Sequence, residues 1–520
     1  MKKNEQVLTV ELRQLIRDLG KNGGMMGPSI YDTAQVLRFA PPRNGVKRPL
    51  AWLLAQQQPD GGWGDPLIPL ARYISTLASL LTARKYSEYY GCNEAIEAGL
   101  QYLEKNPPRL SDPLPDDLPT GVELLIMRLL DECKEVGLEV NMEPYQPLLK
   151  FGEERLNRLK QIKDISLLLR HRAIHSFEGW GESALPEVVH PTDGVGSSPA
   201  ATAFWLNKAA DQAHLQPQRE QAEAYLRNAS KATGVDIVGV VPNAWPIYNF
   251  ERAFGLYAVL LAGMIHDEML ADVIDMQAAE LARTYGSKGV GFTDSFVCDG
   301  DNTAVTISII RAVNKPIDAS VLDQYAHAGH YSGYIGELQP SLSVTAHAVH
   351  ALSYGHNIPH NSPVFDYILE RQQPDGTWSA DKWNGSWMYV TTRILNALIE
   401  TPHQDVLQQG VQGLIAKQNN DSGWGSRGVS NAEETAYVVL LLQALDDQSL
   451  LLEKHKASLY SGYGWLLANY EPYKKVETNN WLAKEAYCPQ RIARIMELTA
   501  VYKSIKVLHP MTQRDKVFAF

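Results

Sequence analysis

Apolar residues recur along this chain at the three- and four-residue spacing of amphipathic helices. The pattern predicts helices over Val7–Leu19, Tyr73–Thr82, Ala95–Leu103, Val122–Leu130, Glu251–Met264, Thr345–Tyr354, Thr392–Ile399 and Glu434–Leu445. A further apolar run, Ala304–Val313, follows a polar corner and reads as another helix. Two-residue alternation is scarce, so strands are not expected to build the fold. Stretches rich in Gly, Pro and Asp (22–27, 107–119 and 190–199) separate the helical segments as loops. Many moderate helices joined by turns predict an all-α protein, layered as a helical barrel rather than a single bundle.

A degenerate repeat sharpens that expectation. Gln57-Gln-Pro-Asp-Gly-Gly-Trp-Gly64, Gln372-Gln-Pro-Asp-Gly-Thr-Trp378 and Gln418-Asn-Asn-Asp-Ser-Gly-Trp-Gly425 share the form Gln-x-x-Asp-(Gly/Ser)-x-Trp. Each follows a short helical pattern (Ala51–Ala55, Val364–Glu370, Val411–Ala416), as a connector between helices would. Gln can bond free backbone groups at a helix end, Asp-Gly turns tightly, and Trp covers the joint with a large apolar face. The copies are expected to be structural staples.

Composition narrows the function. At 520 residues the chain is long enough for two domains sharing a large core. A net charge of -11 without a basic tract argues against nucleic acid as partner. The four cysteines (Cys92, Cys133, Cys298, Cys488) lie far apart, without the spacing of a disulfide framework or zinc site. The N-terminal segment lacks a signal-peptide core, and no apolar run is long enough to span a bilayer. A cytoplasmic, reduced protein is expected, with at most peripheral membrane association.

The chemistry concentrates in Phe296-Val-Cys-Asp-Gly-Asp-Asn-Thr-Ala-Val305. Asp299 and Asp301 stand one residue apart, followed by Asn302 and the apolar run. Asp, Asn and Thr are good helix N-caps, so one role is to start that helix. An ordinary aspartate is ionised at neutral pH and useless as an acid. Burial and a neighbouring like charge would both favour a proton on the Asp299–Asp301 pair, as protonating an alkene requires.

The repeats resemble the QW motifs of squalene–hopene cyclases and class II diterpene cyclases. The acid corner resembles that family's Asp-x-Asp-Asp-Thr-Ala motif, written here Asp299-Gly-Asp301-Asn302-Thr-Ala304. Further stretches are similar to diterpene cyclase signatures: Pro28–Ala34, Asp193–Ala203, Val241–Pro246 with Phe250-Glu-Arg252, Gly336–Ser341, Asp381-Lys-Trp383 and Ala432–Tyr437. They run in family order from about residue 28 to about residue 490, nearly the whole chain.

The resemblance implies two (α/α) barrel domains, β and γ, with γ inserted after the first helix of β. Residues 1–22 and 253–520 would form β with the acid motif, and 23–252 would form γ. No class I α domain is expected, because neither Asp-Asp pair (Asp116-Asp117, Asp446-Asp447) carries the ionising Asp-Asp-x-x-Asp spacing. The implied activity is that of an isomerase (an intramolecular lyase), with Asp301 as general acid supported by Asp299. Asn302 stands where the family has a second aspartate; an amide can donate a hydrogen bond but cannot relay a proton. Trp245, Trp383, Trp387, Tyr389, Tyr437 and His347 are candidates for lining the substrate or stabilising its cation. The terminating base is left among His347, His350, Tyr389 and water. Lys382 and Lys484 are candidate diphosphate partners, with Mg2+ implied by the resemblance and its ligands unassigned.

The implied reaction is cyclisation of geranylgeranyl diphosphate to a bicyclic labdane-, halimadane- or clerodane-type diphosphate. Two alternatives keep the acid and change the substrate, to farnesyl diphosphate (a drimane product) or to a prenylated aromatic acid (a meroterpenoid). A third makes the chain a non-catalytic helical-repeat binding protein. A polyprenyl diphosphate is thus the expected partner, bound by a monomer or homodimer.

Overall fold

The computed structural model describes residues 2–517 except 112, 116–117, 170, 338, 354–361 and 477. Tyr354 and the Asp116-Asp117 pair therefore lie outside the described residues. Each of the helical patterns read from the sequence falls on a helix, and strands are confined to three two-stranded hairpins among the described residues.

The helices close into two rings. In the C-terminal ring Tyr248–Leu261 packs on Gly300–Ala312, which packs on Leu342–Ser353, Trp387–Leu398, Ala432–Asp447 and Gln490–Val517 in turn, and the last returns to the first. An outer layer covers it: Ala271–Thr284, Pro363–Leu369, Gln404–Ala416 and Lys456–Asn469 each lie against an inner neighbour. The first helix, Lys2–Arg17, completes this outer layer, against Ala271–Thr284 and Gln490–Val517. Its Leu8, Leu12 and Ile16, one turn apart, are fully buried in the same core as residues 244–502. The N-terminal ring comprises Ile30–Phe39, Pro69–Lys85, Val122–Glu135, Phe177–Trp180 and Pro199–Lys208, again each on the next and closed. A boundary at residues 252–253 cuts through Tyr248–Leu261; Ala244, Ile247 and Phe250 already belong to the C-terminal core.

The three Gln–Trp repeats are the same device built three times. The Gln amide donates to the carbonyl four residues on (Gly61, Gly376, Ser422) and to a carbonyl of the next helix but one (Ala95, Val406, Ser458). The Asp accepts the N–H two residues on. The Trp indole donates to a carbonyl ten residues back (Leu53, Ile368, Leu414) at 2.8–2.9 Å. Those carbonyls lie near the ends of the preceding helices, where intrahelical donors run out. Trp63, Trp378 and Trp424 are fully buried over the joints.

A third core joins residues 174–245 to Phe296 and Tyr334, so the seam between the rings runs past the acid motif.

Candidate active site

Asp299 closes the hairpin Val290–Gly291/Cys298–Asp299 and caps the helix Gly300–Ala312. Its Oδ1 accepts the Asn302 N–H at 2.7 Å, and its Oδ2 accepts the Asn302 amide at 2.8 Å. Gly300 is required by space: a Cβ there would lie 2.5 Å from the Ser332 carbonyl oxygen. Burial pushes the Asp299 carboxyl up to about 8; both bonds from Asn302 pull the other way, and the charge of Asp301 adds to the rise. Asn302 is buried, and its Oδ1 has no hydrogen-bond partner.

Asp301, on the first turn, points elsewhere. Its Oδ1 lies 2.5 Å from His347 Nδ1, and its side chain keeps 17% exposure. His347 comes from Leu342–Ser353 and is fully buried. Its Nε2 is 3.4 Å from the Tyr389 hydroxyl, and the rings of Phe254, Tyr257 and Tyr389 pack against it edge-on. When Nδ1–H donates to Oδ1, Asp301 Oδ2 is left to carry a proton outward.

Outward lies an aromatic cavity. Asp299, Asp301 and Asn302 line it with Phe250, Phe254, Phe292, Phe296, Tyr334, Trp383, Trp481 and Tyr487. Phe250 and Phe254 stand one turn apart on their helix, and Phe292 and Phe296 flank the turn of the acid-motif hairpin. His175 also lines this cavity. Its Nδ1 lies 2.8 Å from the Gly196 carbonyl oxygen, and burial, aided by the charge of Lys484, pushes its pKa down to about 3. It is therefore neutral, with Nδ1–H donating and Nε2 unprotonated.

Thr120, Arg172 and Trp383 line both this cavity and a second, polar one. There Arg155 pairs with Glu123 at 3.0 Å, and Glu337 receives Lys382 at 2.9 Å and Arg172 as well. Three cations thus face two carboxylates. Burial alone would raise Glu337, yet Lys382 and Arg172 outweigh it and hold the carboxyl below its usual range. The Trp383 indole N–H has no partner at this junction.

The sequence candidates separate accordingly. Asp299, Asp301, Asn302 and Trp383 line the acid cavity, and Lys382 lines the cationic one. His347, Tyr389 and Tyr437 stand one layer behind: Tyr389 packs edge-on between Trp481 and Tyr437 at 5.2 and 5.3 Å. His347 serves Asp301 rather than the cavity, and His350 is bonded to the Tyr257 hydroxyl at 2.8 Å. Trp245 packs on Tyr225 and donates to the Asn22 carbonyl, and Trp387 packs on the C-terminal core. Lys484 is a correction. It is fully buried, donating to Glu178 and Ser198 at 2.7 Å each and lying 3.9 Å from Asp32. Its charge is committed to linking the two rings. Sequence reasoning missed Arg155, Arg172, His175, Trp481 and the four phenylalanines. Phe250/Phe254 at one-turn spacing and Phe292/Phe296 beside the acid motif were visible signals.

Residues 335–443 match the family described as squalene-hopene cyclase C-terminal domain. The chain is 39% identical to the (+)-kolavenyl diphosphate synthase of Herpetosiphon aurantiacus, over 95% of this chain and 97% of that protein. It is 30% identical to the labda-7,13-dienyl diphosphate synthase of Streptomyces clavuligerus, over 81% of each. Its fold superposes on ent-copalyl diphosphate synthase from Streptomyces platensis with a TM-score of 0.76 at 24% identity, covering 96% of this chain and 99% of that one.

Proposed function

The chain belongs to the class II, protonation-initiated terpene cyclases, and on that premise we propose that it cyclises geranylgeranyl diphosphate. The product is a bicyclic labdane-, halimadane- or clerodane-type diphosphate whose carbon–oxygen bond to the diphosphate is never broken. One observation carries this reading: the aromatic cavity holding Asp301 meets the cationic cavity across Thr120, Arg172 and Trp383. An apolar chain with an anionic end matches the chemistry of that pair of chambers.

Arg155, Arg172 and Lys382 would hold the diphosphate by charge-assisted bonds, and the free Trp383 N–H adds a donor. The prenyl tail then lies along the phenylalanines toward Asp301. The Asp301 Oδ2–H bond breaks, its proton forms a C–H bond at the terminal alkene, and positive charge appears on the adjacent tertiary carbon. His347 stabilises the carboxylate left behind. Successive alkenes attack and close the rings. Aromatic faces stabilise such cations by about 0.5–2 kcal/mol each, and phenylalanine offers no lone pair to trap them. Neutral His175 is placed to take the final proton at Nε2.

The family implies Mg2+ beside the diphosphate. Among the described residues no cluster of three or more His, Cys, Asp or Glu is set to hold an ion, and Glu123 and Glu337 are engaged by arginine and lysine. These residues do not fit a protein-held ion; Mg2+ would enter with the diphosphate. The cationic chamber favours a diphosphate over an aromatic acid. Cytoplasmic work fits four cysteines that form no disulfide among the described residues.

The test is incubation of purified protein with geranylgeranyl diphosphate, with and without Mg2+, followed by dephosphorylation and mass spectrometry. A bicyclic alcohol is expected, falling at least about 1,000-fold in Asp301→Ala. Consumption of farnesyl diphosphate or a prenylated aromatic acid alone overturns the substrate, and an active Asp301→Ala overturns the acid.

A further inference from the structure

Glu433, near the start of the helix Ala432–Asp447, is a buried carboxylate that the cyclisation described above does not use. It accepts three hydrogen bonds. The Tyr437 hydroxyl and the Trp481 indole N–H donate to Oε1 at 2.5 and 3.1 Å, and the Asn480 amide donates to Oε2 at 2.9 Å. Trp481 is the hub of the aromatic wall. Its ring lines the acid cavity and meets Phe250, Phe254 and Tyr389 at 5.4, 5.1 and 5.2 Å. One edge of the indole is thus tied to a carboxylate while the ring borders the space a carbocation must cross.

We propose, resting on the cyclase function above, that Glu433 is a positioning residue: it fixes the Trp481 indole and, when ionised, makes that ring electron-richer toward the cation. A carboxylate accepting an indole N–H pushes electron density into the ring, and in a dry site that polarisation is little screened. Three fixed donors hold the acceptor in one orientation, so the arrangement needs no reorganisation when charge appears.

The surroundings let this charge respond to pH. Burial pushes the Glu433 carboxyl up to about 7, against the pull of Tyr437, Trp481 and Asn480. The charged and titratable groups around it include Glu434, Tyr437, Arg393 and, through Asn480, Arg427. Glu434 is engaged by Ser386, the Ser426 N–H and Asn431, and the Arg393 guanidinium lies over the Tyr389 and Tyr437 rings at 4.5 and 5.1 Å. A cation forming in front of Trp481 favours the ionised form.

Two measurements test this, one without substrate. In protein labelled with 15N-tryptophan, the Trp481 indole N–H is assigned by its loss in Trp481→Phe. Its resonance is expected to titrate near pH 7 and to stop doing so in Glu433→Gln. With substrate, Glu433→Gln keeps an acceptor but loses the charge. It should lower kcat about tenfold, leave KM unchanged and alter the product ratio. The same change made in Trp481→Phe, which keeps a ring but no N–H, should cost nothing further. A Trp481 signal left unmoved by Glu433→Gln overturns the proposal. So does a Glu433→Gln protein with lowered thermal stability but normal kcat, or an undiminished loss in the Trp481→Phe background. If wild-type protein cyclises no diphosphate the proposed function falls, while the resonance still decides the Glu433–Trp481 link.

Discussion

Two aspartates one residue apart in the chain have opposite surroundings. Asp299 is dry and bonded twice by Asn302 at the cavity's edge; Asp301 keeps partial exposure there with His347 on one oxygen. Asn302 therefore supports Asp299 rather than Asp301, which explains how an amide can stand at that position without touching the donor. The cost of a buried carboxyl shows in stability. Asp299 keeps its proton in the fold to about pH 8, whereas in the unfolded chain it ionises near pH 4. Across that window the fold binds the extra proton, so stability falls as pH rises, by about 1.4 kcal/mol per pH unit for one group. Asp299→Asn keeps a good helix cap and removes the titration. Between pH 6 and 8 its unfolding free energy should fall less than wild type's by about 2 kcal/mol, read from denaturant melts at each pH.

At the scale of elements, the Gln–Trp staples carry a testable difference among themselves. Gly61 and Gly376 adopt φ of 91° and 87°, and a Cβ at either would lie 2.3 Å from a carbonyl oxygen of the next helix but one. The third copy holds Ser422 at φ 74° in the same left-handed region. That conformation costs a residue with a Cβ about 1–2 kcal/mol. Ser422→Gly should raise the thermal midpoint by an amount equivalent to about 1 kcal/mol, while Gly376→Ser should lose at least about 2 kcal/mol, because the contact adds to the strain. Calorimetry of the two variants checks both signs. These staples were legible in the sequence because Gln, Asp, Gly and Trp each have a distinct job at a helix joint. The amphipathic helices were legible for a similar reason, since one apolar face leaves a period. Where the period fades, so did the signal. Gln490–Val517 buries Ile492, Ala493, Ile495, Met496 and Leu498 almost around its circumference, and Gln216–Ala232 packs partly through the small residues Ala222 and Ala229. The candidate site divides the same way. The acid pair stood out as a local motif, but the partnership of Asp301 with His347 spans 46 positions and the link of Glu433 to Trp481 spans 48, distances no local pattern encodes.

Across the whole molecule two lysines that look alike in sequence perform different work. Lys484 sits between the rings, fully buried among Glu178, Ser198 and Asp32, and the Tyr31 hydroxyl donates to the same Glu178 oxygen. Burial pushes Asp32 up to about 7, with Lys484 opposing the rise, so the lysine is what lets these acids share a dry space. Removing one partner of a buried ion pair leaves an uncompensated charge, and such losses run to about 3–5 kcal/mol. Lys382 also pairs with a buried acid, but Glu337 keeps Arg172 when Lys382 is gone, and the lysine borders the cationic chamber. Lys484→Met is therefore expected to lose about 3–5 kcal/mol of stability while the folded fraction retains its KM. Lys382→Met is expected to stay within about 1 kcal/mol of wild type and to raise KM for the diphosphate about tenfold, the loss of one charge-assisted contact. Denaturant unfolding and steady-state kinetics on both variants decide the matter. A Lys484→Met protein with normal stability and a raised KM would return that residue to the substrate and leave the rings without their shared buried charge.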